Sequence, residues 1–146
     1  MPAPETHTTP IVASGACLCR AVGFTARLPS RWVAHCHCSR CRRAHGAAFV
    51  TFVGLDADEV ELRDPDRRLV WYRAGTGGER GFCATCGSTL FFRSPRWPGE
   101  LHAVLANFDD PVDRAPQAHA YWDTHVDWVT VVDELPKKPD PDAAKA

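Results

Sequence analysis

The chain carries seven cysteines in three groups: Cys17-Leu-Cys19, Cys36-His-Cys38-Ser-Arg-Cys41, and Cys83-Ala-Thr-Cys86 followed by Gly87. An odd number cannot pair into disulfides without leaving a thiol over. The first ten residues have neither the basic start nor the apolar stretch of a secretory signal, so the expected compartment is the reducing cytoplasm. Clustered thiols in that compartment bind metal or do chemistry more often than they cross-link. Tetrahedral coordination divides seven into one set of four and one of three.

Cys83-x-x-Cys86 puts two thiolates on one tight turn, and Gly87 supplies a positive φ behind the second ligand. Its flanks, Arg80-Gly-Phe82 and Thr89-Leu-Phe-Phe92, read as a hairpin. Cys17-x-Cys19 is the natural second half of a four-thiolate zinc site, which would staple the N-terminal strand to a hairpin more than 60 residues later. Two alternatives stand beside this reading. Cys83 and Cys86 could form a redox pair, which needs a helix N-terminus in a βαβ setting that the Phe-rich flank does not supply. Cys17 and Cys19 could be unrelated core thiols.

Cys36, Cys38 and Cys41 place three thiolates within six residues. Three protein ligands leave one tetrahedral position open, as in catalytic zinc sites. His35 and His37 flank the thiolates, so their rings are expected to point away. His45 is the better candidate to close the site as a fourth ligand. With the position open, a soft zinc–thiolate centre suits an outside thiol, which coordination converts to the nucleophilic thiolate. Addition to a small aldehyde would make a carbon–sulfur bond, and the reverse would cleave it. Arg40, Arg42 and Arg43 crowd the segment, with Arg20 after the first pair. They could grip an anionic thiol such as glutathione, or simply be solvated. The tyrosines and tryptophans, and His102, His119 and His125, read as packed or surface residues.

These ligands need a scaffold. The chain has 146 residues, with 45% hydrophobic and 24% charged, ordinary values for one globular domain. A net charge of −1 gives no footprint for nucleic acid or an anionic membrane. No apolar run approaches the ~18 residues of a membrane span. Residues 1–10 read as a disordered lead-in, 11–135 as a single zinc-binding domain and 136–146 as a polar tail. Strands are expected at 21–27, 48–53 (buried), 59–62, 69–72, 89–93, 101–105 and 128–132, with one helical turn over 39–45. That makes a mainly β domain. An α+β alternative hides a helix in 108–119.

The runs Gly15-Ala-Cys-Leu-Cys19, His35-Cys-His-Cys-Ser-Arg-Cys-Arg-Arg-Ala-His-Gly46 and Arg80-Gly-Phe-Cys-Ala-Thr-Cys-Gly-Ser-Thr-Leu90, with Trp128 and Asp133-Glu-Leu-Pro136, resemble the glutathione-dependent formaldehyde-activating family, which includes centromere protein V. The resemblance covers nearly all of 13–136. It implies a zinc-bound β-tent of antiparallel sheets with two zinc ions per chain. Cys17, Cys19, Cys83 and Cys86 would take the structural positions, and Cys36, Cys38 and Cys41 the catalytic ones. It also implies a zinc-dependent carbon–sulfur lyase acting on a small thiol and a small aldehyde. Arg20 departs from the pattern, standing where the family often has glycine. Two other readings compete: a non-enzymatic zinc module for a protein partner, and a metal or redox sensor built on a loose three-cysteine site.

Overall fold

A computed structural model of the chain describes residues 11–142. The lead-in over 1–10 and the last four residues of the tail lie outside the described residues. In chain order the elements are β1 (Val12–Ala16), β2 (Gly23–Arg27), β3 (Trp32–Cys36), α1 (Ser39–His45), β4 (Val50–Asp56), β5 (Val60–Arg63), β6 (Leu69–Arg73), β7 (Glu79–Cys83), β8 (Thr89–Arg93), β9 (Glu100–Val104) and β10 (His119–Ala120). Three short 3₁₀ turns join them.

Side-chain alternation sorts these strands into two sheets. On β2, Phe24 and Ala26 are buried on either side of half-buried Thr25, and β2 sits at the centre of a three-stranded antiparallel sheet ordered β1-β2-β5. The larger sheet runs β10-β3-β4-β9-β8-β7-β6. Its pairings are antiparallel except the short parallel contact of β10 with β3. β4 lies between β3 and β9, and its apolar run Phe52-Val-Gly-Leu55 is buried on both faces. The mainly β architecture agrees with the sequence reading.

The two sheets share a core. Phe24 of the small sheet meets Phe91 of β8 edge to face at 5.3 Å and Phe108 at 4.9 Å, the geometry that ring quadrupoles favour. A second cluster of Cys41, Val50, Phe52 and Val104, with Trp32 and Phe92 against it, lies under the middle cysteines. Gly54 is required there. A Cβ on it would stand 2.2 Å from the Trp32 indole.

One expected strand is absent, the α+β alternative falls away, and one strand went unforeseen. Residues 128–132 form no strand, and Trp128 and Val132 are exposed. Their β-branched composition has no partner strand to pair with. No helix lies in 108–119, where Pro111 and Pro116 interrupt irregular backbone. Trp32–Cys36, for which no strand was expected, is β3 and carries the first middle cysteine. Residues 136–142, the described part of the tail, run against the larger sheet. His119 N–H donates to the Pro136 carbonyl, Lys138 N–H to that of His119, and Trp122 N–H to that of Lys138.

Candidate metal centres and the cavity between them

β1 ends at Ala16, and the chain turns so that Cys17 N–H donates to the Val22 carbonyl. That turn brings Cys17 and Cys19 over the knuckle after β7. There Gly87 N–H donates to the Cys83 carbonyl, and Gly87 sits at φ 78, the left-handed region that favours glycine. The Sγ atoms of Cys17, Cys19, Cys83 and Cys86 all lie within 4.8 Å of one another. Cys17 and Cys19 are 3.7 Å apart, and Cys19 and Cys83 3.8 Å. Four thiolates around zinc at ~2.3 Å stand ~3.8 Å apart on a tetrahedron, whereas a disulfide needs ~2.05 Å. The set fits zinc. The Val22 N–H donates to Cys17 Sγ at 3.4 Å, and Cys86 Sγ lies 3.2 Å from the Ser88 hydroxyl. Such contacts support thiolate charge.

The middle group is built by one strand end and one helix start. Cys36 closes β3, Cys38 caps α1, and Cys41 lies one turn in. The Cys41 N–H donates to Cys38 Sγ at 3.2 Å, so the helix cap itself positions a ligand. Cys36 and Cys41 are 3.5 Å apart. Among the described residues the grouping stops at three. His45 does not join it: its ring packs edge-on to Phe52 at 5.9 Å, and its buried Nε2 has no partner among the described residues. Hydrogen bonds from the Cys36 and Cys41 thiols pull Cys38 down, while hydrogen bonding to its thiol neighbours and burial push Cys36 up. Three thiols this close ionise together only when a cation joins them, and their donor set suits zinc.

The three sulfurs open on a cavity of 580 Å³. Trp32, Phe52, Phe92 and Trp97 are among its walls, and Arg40, Arg80 and Arg96 reach it.

This geometry can be set beside known proteins. Residues 12–124 match the family model described as glutathione-dependent formaldehyde-activating enzyme. The chain belongs to that family. A Halomonas elongata protein named as a candidate glutathione-dependent formaldehyde-activating enzyme is 30% identical over 128 residues, 83% of this chain and 82% of the relative. An uncharacterized lyase of Schizosaccharomyces pombe is 31% identical over 78 residues, 53% of this chain and 55% of that protein. The crystal structure of a Rhodobacter sphaeroides protein superposes with a TM-score of 0.57 at 25% identity, covering 68% of this chain and 91% of that one. The names of the family and of these relatives point to a formaldehyde-activating or lyase-type function.

Of the arginines singled out in this family member's sequence, Arg40 lines the cavity and donates from Nη1 to the Thr76 hydroxyl at 2.9 Å. Arg42 and Arg43 are not among the lining residues. Arg20 lies near the four-cysteine group, at φ 66, and pairs with Asp109 through two hydrogen bonds of 3.2 and 2.6 Å. Sequence reasoning missed Arg80 and Arg96. Arg80 is delivered by β7, three positions before buried Cys83, and its Nη2 lies 3.6 Å from Cys41 Sγ. Its guanidinium stacks over Phe92 at 5.0 Å, and its buried Nη1 has no partner among the described residues. The only hint in the sequence was its place in the hairpin that also carries Cys83.

Proposed function

We propose that the chain is a zinc-dependent carbon–sulfur lyase of a reducing, cytoplasmic compartment. It joins a small anionic thiol, with glutathione the leading choice, to a small aldehyde such as formaldehyde, and catalyses the reverse cleavage. The observation that carries this reading is the three-thiol group opening on a 580 Å³ cavity that arginines line. The names of the family and of the Halomonas relative support the same thiol and aldehyde.

Zinc held by Cys36, Cys38 and Cys41 would supply a soft Lewis acid that favours the thiolate form of an incoming thiol. Arg80 is the first residue to hold that thiol's carboxylate: a buried guanidinium N–H without an acceptor is costly, and a carboxylate satisfies it with a charge-assisted hydrogen bond. Arg40 stands at the same cavity for a second carboxylate, with Arg96 beside it already paired to Asp142 at 2.6 Å. Trp32, Phe52 and Phe92 give the cavity apolar walls beside the sulfurs. In the addition, a sulfur lone pair bonds to the carbonyl carbon and the π pair moves to oxygen. Oxygen takes the proton that the thiol released, so no oxidant or reductant is consumed. A zinc module without chemistry would need its middle site closed, and the grouping of three beside a cavity favours the lyase.

The test is exchange between isotope-labelled formaldehyde and its glutathione adduct, followed by NMR on zinc-loaded protein. Wild type accelerates the exchange and Cys38→Ser does not. No acceleration by fully loaded wild type contradicts the proposal.

A further inference from the structure

His35 precedes Cys36 on β3, and successive strand side chains point to opposite faces. Cys36 faces the cavity; His35 turns to the other side of the sheet, where β10 pairs in parallel and sets His119 beside it. The two imidazoles stack with centroids 4.9 Å apart. Asp133 completes the group from the segment that leads to Pro136. His35, His119 and Asp133 each offer one ligand atom, all within 4.8 Å of one another. This group lies outside both cysteine centres and takes no part in the chemistry proposed above.

We propose that His35, His119 and Asp133 form a third metal site, of two imidazoles and one carboxylate, for a first-row divalent cation. Several features fit a ligand set. Histidines that bind metal fix their other ring nitrogen with a hydrogen bond. His119 Nδ1 lies 2.8 Å from His37 Nε2, and His35 Nδ1 lies 2.7 Å from the Thr51 hydroxyl. Each ring therefore keeps Nε2 as its ligating nitrogen. His119 Nε2 stands 2.9 and 3.0 Å from the two Asp133 oxygens. A nitrogen and an oxygen sharing a tetrahedral ion at ~2.0–2.2 Å stand ~3.3 Å apart. The carboxylate must retreat by only a few tenths of an ångström, and Asp133 is 42% exposed while His119 is 1% exposed. Phe49, 5.0 Å from His35, and Trp122, 5.4 Å from His119, wall the group with rings. Two neutral imidazoles and a carboxylate suit zinc, cobalt or iron(II) and leave coordination positions open. The competing reading is a hydrogen-bonded clamp that only fastens the C-terminal segment, and it predicts no bound cation.

The test titrates zinc-loaded protein with cobalt(II). The expected result is an added equivalent of cobalt without thiolate-to-cobalt charge-transfer absorption, with paramagnetic broadening of the His35 and His119 imidazole signals. Asp133→Asn, which keeps the shape and one acceptor oxygen, weakens that binding by about tenfold or more. Cobalt on cysteine absorbs through charge transfer, so this readout does not depend on how much zinc the cysteine sites hold. The proposal is overturned if no such equivalent binds, or if the broadening lies away from His35 and His119. Unchanged affinity in both Asp133→Asn and His35→Gln overturns it as well. Should a variant fail to fold, the wild-type titration and its broadening pattern decide alone.

Discussion

Cys17, Cys19, Cys83 and Cys86 come from two segments, with Cys19 and Cys83 64 residues apart, whereas Cys36, Cys38 and Cys41 come from six consecutive residues. The first set joins the turn after β1 to the β7–β8 hairpin, and Cys17 and Cys83 are buried in the shared core. The second joins nothing distant; it sits on a helix cap above a smaller cluster and opens on a cavity. A metal ion held by each set would close a long loop at one site and a short one at the other. Folding free energy would then concentrate at the first, and the second could leave a coordination position for chemistry.

The largest effect is expected from Cys83→Ser. Structural zinc contributes ~10–16 kcal/mol in small zinc peptides, which exceeds the stability of a typical domain. Loss of near-UV circular dichroism and of bound zinc is the expected result; a variant with native stability would erase the contrast between the sites. Cys38→Ser comes next. It should reduce bound zinc from about two per chain to about one while the melting temperature moves by only a few degrees. Metal analysis beside a thermal scan checks both.

Arg80→Met tests the open side of the second centre. It should raise KM for glutathione about tenfold or more, the worth of a charge-assisted hydrogen bond, with the fold kept. Arg43→Met, outside the cavity lining, should leave KM unchanged in the same assay.

Acid provides a subtler test. Burial pushes His45 down to about 4 from its ordinary 6.5. The unfolded chain then binds the extra proton first as pH falls, so stability is full above about pH 6.5 and declines toward pH 4. After allowing for its partial contact with solvent, the loss at pH 5 is about 1 kcal/mol. Urea midpoints at pH 7 and 5 should show this decline, and His45→Leu should reduce it. The smallest effect belongs to Arg20→Gly. The backbone there is left-handed, which glycine tolerates freely, and the exposed pair with Asp109 is lost in exchange. Urea midpoints should be unchanged or raised, whereas Arg20→Val should lower them.

The partition of the cysteines was legible because ligand chemistry forces close spacing into the chain itself. Gly87 and the Ser39–His45 helix were legible for the same local reason. β3 was not, since Trp32-Val-Ala-His-Cys36 buries only Val33 fully and carries no clear alternation. Trp128–Val132 has strand composition without a strand to pair with, a fact held only in tertiary structure. Arg80 and the His35–His119–Asp133 group share that difficulty. Their members meet through sheet register, which brings β7 to the cavity and β10 beside β3.

The contrast between a closed and an open centre can be measured directly by zinc K-edge X-ray absorption on two-zinc protein, with and without glutathione. One four-sulfur and one three-sulfur centre average about 3.5 sulfur ligands per zinc, and the expected value rises to about 4 when the thiol is added. A value of about 4 before thiol is added, or one that stays at about 3.5 in its presence, would contradict it.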